Sequence, residues 1–121
     1  MAWTIVLHDE VREWLREMRR SDRDTFDVLS SRGPSLGRPL VDTVRHSNLS
    51  NLKELRPGSQ GATEVRILFA FDPSRRAIFL IGGDKSSNWQ GWYNRAIPVA
   101  EDRYREHLKR AEGDREGERR H

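Results

Sequence analysis

Apolar positions along this chain change period from place to place, and each change predicts an element. Trp3–Leu7 (WTIVL) is an unbroken β-branched and aromatic run, the composition of a short strand. Val11, Trp14, Leu15 and Met18 then recur at helical spacing, with Asp9 placed as a cap and Glu10 and Glu13 in the first turn, where the helix dipole favours acids. Ser21 with Asp24 three residues on resembles a capping box, and Phe26 and Leu29 supply the buried side of a second helix that Gly33-Pro34 stops. Residues 33–51 lose any period and read as a long connector. Three strands follow at roughly Leu49–Leu55, Glu64–Phe71 and Ala77–Ile81, with Asp72-Pro73-Ser74 as the turn between the last two. VRILFAF and AIFLI are apolar at nearly every position, so that hairpin is expected to be central and covered by helices on at least one face. SNWQGWYN predicts a short helical turn, and Pro98 the first residue of a last helix reaching about Arg110. The sum is one α+β domain, residues 1–111: a small antiparallel sheet with two N-terminal helices packed on it and a C-terminal helix. Residues 112–121, without an apolar anchor, are expected to form a flexible charged tail.

Composition narrows the chemistry. The 121 residues include no cysteine, which removes disulfides and thiolate nucleophiles and suits a reducing cytoplasm. No signal peptide or apolar run of membrane-spanning length is present, so a cytoplasmic protein with no membrane partner is expected. The net charge of +3 is unevenly placed: residues 44–96 carry 8 Lys and Arg against 4 Asp and Glu, whereas the flanking segments are close to balanced. A basic centre predicts a local anionic partner such as a phosphate backbone, or else a solvated strand face. His8, His46, His107 and His121 show no i, i+4 pairing, no G-x-S-x-G occurs, and IGGDK is too short for a phosphate-cradling loop, so neither a metal, a cofactor nor a serine nucleophile is implied.

The basic residues carry the more specific signal. Lys53 and Arg56 lie three apart around the first central strand, so strict alternation puts them on opposite faces unless a bulge near Pro57-Gly58 intervenes. Arg66 interrupts an otherwise apolar strand and needs an anion, either Glu54 or a bound phosphate. Lys85 follows a strand end. Trp89, Trp92 and Tyr93 stand at i, i+3 and i+4, the spacing of a helix's core contact, with the Tyr93 hydroxyl able to reach a substrate while its ring packs.

The run LKELRP…RILFAFDP…GGDK…W..WY…IP.A resembles the HigB-like, phage-related branch of the RelE/ParE toxin superfamily, over about residues 49–108. The resemblance implies a messenger-RNA endonuclease acting on translating ribosomes, held in an oligomeric complex with a cognate helix-turn-helix antitoxin. The implied reaction is metal-free: a 2′-hydroxyl attacks the adjacent phosphate and leaves a cyclic phosphate. The implied catalytic set is Arg56, Arg66, Lys85 and Tyr93, with Lys or Tyr transferring protons if neighbouring cations lower its pKa. Lys53, Arg75, Arg76 and Trp89 are the implied RNA contacts. The chain departs from the pattern in having no histidine between His46 and His107, which leaves the general base among Lys85, Tyr93 and, less centrally, His46. The alternative within the same superfamily is a ParE-like toxin that inhibits a protein such as DNA gyrase.

Because residues beyond Ala111 offer no apolar burial, a chain ending at Ala111 should keep its melting temperature and its activity. Loss of either on truncation would show that the tail contributes to the fold or the site.

Overall fold

The computed structural model describes residues 3–16, 20–38, 40–57, 65–83 and 89–119, with side chains throughout except at positions 14, 20–23 and 113–119. Five strands form a single sheet in the order β1-β5-β4-β3-β2, where β1 is Thr4–Leu7, β2 Val41–Thr43, β3 Leu52–Leu55, β4 Arg66–Phe71 and β5 Arg76–Gly83. All neighbours are antiparallel except β1 and β5, which run parallel with Thr4 opposite Arg76. A parallel edge was not expected. It arises because β1 enters the sheet beside a strand distant in sequence, with no hairpin to reverse it.

Alternation along the central strands sorts side chains between two cores. Leu55, Ile67, Phe69, Ala77 and Phe79 face the N-terminal helices α1 (Asp9–Leu15) and α2 (Arg20–Arg32), meeting Val11, Leu15 and Leu29. Leu52, Leu68, Ala70, Ile78 and Leu80 face the last helix, α3 (Trp89–Arg119), through Ala96, Ala100 and Tyr104. The spacing of four keeps these on one stripe, and the two alanines let the helix approach the sheet closely. Both faces are therefore covered, which is why VRILFAF and AIFLI carry so few polar residues.

Several boundaries moved for identifiable reasons. The connector contains β2, three residues that are too few to show a period. Asp9 is the first helical residue, and the His8 ring nitrogen accepts from the Glu10 N–H at 3.3 Å in the place expected of Asp9. Met18 and the Ser21 side chain lie outside what is described. Pro98 sits inside α3, not at its start, because the helix begins at Trp89. With no N–H, Pro98 cannot donate to the carbonyl of Asn94 one turn earlier. The backbone of α3 also continues past Arg110 to Arg119, since an established helix extends readily through Glu, Arg and Ala.

The β4–β5 turn is built on Asp72. Its buried carboxylate accepts from the Ser74 and Arg76 N–H groups, each at 2.9 Å, from Arg76 Nε at 2.8 Å, and lies 2.9 Å from His107 Nε2 on α3. Burial alone would raise its pKa, but His107 and Arg76 hold it below the usual carboxylate value. Arg75 closes the turn with φ 63°, and its guanidinium lies 4.7 Å above the Trp3 ring.

At the other end of Trp3 stands Gly33, where the chain leaves α2 with φ 54°. A Cβ there would collide with the Trp3 indole, which is fixed by a backbone hydrogen bond to Ser30 at 2.7 Å. Gly33→Ala should therefore destabilise the fold by about 1–3 kcal/mol, from strain and overpacking together. Gly37→Ala, where nothing lies within 4 Å of the added carbon, should change stability by no more than about 0.5 kcal/mol. Thermal unfolding of the two variants side by side checks this; equal melting temperatures would refute it.

Candidate functional site

On β3, Leu52 and Glu54 project toward α3 while Lys53 and Leu55 project the other way. Arg56 continues the Glu54 side. The carboxylate of Glu54 is thus carried under the start of α3, where Glu54 is 4% exposed, and everything else at the site is arranged around it. Arg56 donates to Oε2 from Nε at 3.2 Å and from Nη2 at 2.9 Å. Arg66, on the neighbouring strand, places Nε 3.7 Å from Oε1. The Tyr93 hydroxyl donates to Oε1 in a very short hydrogen bond and accepts from Arg66 Nη1 at 2.6 Å. One carboxylate, two guanidiniums and one phenol form a connected set from three elements.

Aromatic side chains hold the set from above. The Arg66 guanidinium lies 4.1 Å from the Trp89 ring centroid and 5.6 Å from that of Tyr93, within cation–π range. Trp89 packs edge-on against Trp92 at 5.2 Å, and Trp92 against Tyr93 at 5.1 Å. Trp92 in turn lies on Gly83, the register partner of Arg66, where any Cβ would strike its indole. Trp92 therefore belongs to the α3-side core, whereas Trp89 fixes Arg66.

The electrostatics assign direction to the protons. Burial first, then the hydrogen bond and charge of Glu54, push the Tyr93 phenol up to about 12, against a smaller opposing effect of Arg66. This reverses the expectation that crowding by cations would lower it: the nearest full charge is an acid. Arg56 is partly buried, which favours its neutral form, but its hydrogen bond and ion pair with Glu54 prevail and raise its pKa.

The structure brings together Arg56, Arg66, Tyr93 and Trp89. It does not bring Lys53 to them. Lys53 faces away, with Nζ 3.4 Å from Thr43 Oγ1, because alternation on β3 is unbroken; the register irregularity is at Leu68/Phe69 on β4 instead. Arg75 and Arg76 lie beyond the opposite end of β4 from Arg66, nine and ten residues along the hairpin, with Arg76 bound to Asp72. Lys85 lies outside the described residues. The sequence offers Glu54 only as a partner for Arg66, yet in the fold it is the hub. The signal is present in LKELR, where the face of Leu52 continues as Glu54 and Arg56 and so sets an acid between a buried leucine and an arginine.

A cavity of about 590 Å³ opens beside this set, walled by Glu54, Arg56 and Tyr93, by α3 from Gln90 to Glu101, and by the segment 42–48. Among the described residues, no helix is long and apolar enough to cross a membrane.

Comparison with known proteins places the chain. The family described as "phage derived protein Gp49-like" matches residues 9–105. HigB2 of Mycobacterium tuberculosis, which its name describes as a candidate toxin, is 47% identical over 119 residues, covering 93% of this chain. The chain spans only 57% of that relative's length. HigB3 of the same organism, similarly named, is 47% identical over 103 residues, covering 82% of this chain and 88% of its own. Among solved structures, a chain of the toxin-antitoxin complex RelBE2 from Mycobacterium tuberculosis superposes with a TM-score of 0.51 at 15% identity, covering 70% of this chain and 100% of that one. At that identity the likeness concerns the fold, which is RelE-like.

Ultraviolet titration should find Tyr93 ionising near pH 12, assigned by its disappearance in Tyr93→Phe, and Glu54→Gln should move the transition down toward 10. The folded-state pKa exceeds the unfolded one, so the stability contributed by this phenol is fully present below about pH 10 and lost as pH rises through 12. An ordinary pKa in the wild type, unmoved by Glu54→Gln, would mean that the phenol does not bond the carboxylate.

Proposed function

Since the chain belongs to the phage-derived Gp49-like family, we propose that it is the toxin of a toxin–antitoxin pair and acts as a metal-independent endonuclease on messenger RNA. A single observation carries the catalytic reading: a nearly buried carboxylate, Glu54, flanked by two arginines and hydrogen-bonded to a phenol kept protonated. The names borne by the two mycobacterial relatives support the toxin role, and a cognate antitoxin, proposed to be of helix-turn-helix type, is its partner in this reading. Translating ribosomes are the proposed place of action.

Each side chain has a chemical task in this reading. The 2′-hydroxyl of one nucleotide bonds to the adjacent phosphorus as the bond to the 5′-oxygen of the next breaks, giving a cyclic phosphate and a 5′-hydroxyl. Glu54, which lines the cavity, accepts the 2′ proton. A phenol near 12 is a poor base at neutral pH but holds a proton to give, so Tyr93 supplies one to the leaving oxygen and recovers it from Glu54 through their hydrogen bond. No net proton is gained or lost by the protein. Arg56 and Arg66 remain charged throughout and face the extra negative charge of the phosphorane. Lys85, two positions beyond the register partner of Arg66, is a further candidate for that charge.

Inducing the chain alone in bacteria and mapping 5′-hydroxyl RNA ends, with and without translation blocked, tests the reading. Arg66→Ala should lower cleavage by roughly 10²-fold or more, and Arg66→Lys should also lose heavily, because it keeps the charge but not the planar fork. A scaffolding role for Arg66 predicts instead a lower melting temperature with normal cleavage by the folded fraction. Growth arrest without new RNA ends would replace the endonuclease by a protein target such as gyrase.

A further inference from the structure

The cavity beside Tyr93 has a built far wall that the proposed chemistry does not use. Its segment 44–50 is held in place at both ends. Val44 N–H donates to the Leu52 carbonyl at 3.0 Å, and Leu49 N–H to Ser47 Oγ at 3.0 Å. From the opposite side, the buried carboxylate of Glu101 on α3 accepts from Ser47 Oγ at 2.7 Å and from Asn48 N–H at 2.6 Å. Between these anchors His46 adopts φ 66°, an uncommon conformation for a residue with a side chain, and one that surroundings must over-determine to maintain. Glu101 is a positioning residue: it spends a buried acid on fixing a loop.

That loop presents the Arg45 guanidinium without a partner acid among the described residues. On the cavity wall Arg38 is paired with Asp42 at 3.2 Å and Arg56 with Glu54, whereas Arg45 and His46 form no ion pair with any described residue. Facing them, α3 offers an apolar strip at Ile97 and Pro98 and a pair of amides, Gln90 and Asn94, in hydrogen-bond contact at 3.3 Å. The volume falls within the range of small-ligand sites, roughly 300–1,000 Å³. A cationic rim, an apolar strip and a side-chain amide are the groups that recognise one unstacked nucleotide: phosphate, base face and base edge.

We propose that this cavity seats the nucleotide flanking the cleaved bond of a single-stranded RNA, its phosphate at Arg45 and His46, its base against Ile97 and Pro98, and its edge at Asn94. The inference rests on the endonuclease reading, because sharing Glu54, Arg56 and Tyr93 with the reacting set is what threads the strand from one into the other. It makes the cavity the determinant of where the RNA is cut.

The test separates binding from chemistry. An RNA trinucleotide carrying a 2′-deoxy sugar at the position of attack cannot be cleaved, and its binding to the full chain is followed by amide NMR. Shifts are expected across residues 44–48 and 94–97. Asn94→Trp, an exposed position whose indole would fill the cavity, and Arg45→Ala should each weaken binding at least tenfold. Arg45→Ala should also reduce the dependence of log affinity on log salt by roughly 0.7, one phosphate contact on a single strand. Shifts confined to Arg56, Arg66 and Tyr93 with both variants binding like wild type would overturn the subsite, as would no binding by the wild type. Cut RNA ends in cells are read separately. Asn94→Trp that cuts the same sites at the wild-type rate removes the subsite and leaves the endonuclease standing. A wild type that binds the trinucleotide here yet leaves no cut ends removes the endonuclease, and with it the cavity's role in setting the cut, leaving only an RNA-binding cavity.

Discussion

A carboxylate withdrawn from water must be surrounded by donors, and Glu54 draws its donors from three parts of the chain. Arg56 comes from its own strand, Arg66 from the next, and Tyr93 from the helix that covers them. Removing either arginine or the phenol would leave a nearly buried charge less well matched, so the set holds the sheet end and α3 together as well as concentrating chemistry there. Buried ion pairs of this kind are a weak source of stability, because the desolvation of the charges offsets much of their attraction.

The covering helix has two jobs that compete for the same residues. Its stripe of Ala96, Ala100 and Tyr104 packs on the sheet, and its first turn delivers Trp89 and Tyr93 over Arg66. Gly83 makes the second job possible, because a side chain there would displace Trp92 and with it the aromatic group that fixes Arg66. Glu101 extends the same helix's influence across the cavity to residues 47 and 48. One helix thus positions both walls of the candidate site.

The uneven charge of the chain has a physical resolution. The cations of the basic centre do not form one patch: Arg56 and Arg66 close on Glu54, Arg76 on Asp72, Arg75 on Trp3, and Lys53 points to the other face. What is left facing the cavity without a partner acid among the described residues is Arg45 with His46. Counting charge along the chain overstated the patch, because the acids that neutralise it are few but central.

Elements built from local rules were legible in the residues alone. The strands around RILFAF and RAIFLIGG, the Asp72 turn, the break at Gly33 and the amphipathic helices follow from period, turn chemistry and apolar spacing, and the family pattern was readable in ELR, RIL and the aromatic run. Of the site, Arg56, Arg66, Trp89 and Tyr93 could be picked out by residue type. Tertiary structure decided the rest, for want of any local signal. A three-residue strand at Val41–Thr43 and a parallel edge at Thr4–Leu7 are products of pairing, not of propensity. Pro98 stays helical because the packing of Ala96 and Ala100 outweighs its cost. The direction in which Tyr93 is shifted depends on which charge is nearest in space, and that charge is Glu54, thirty-nine residues away along the chain.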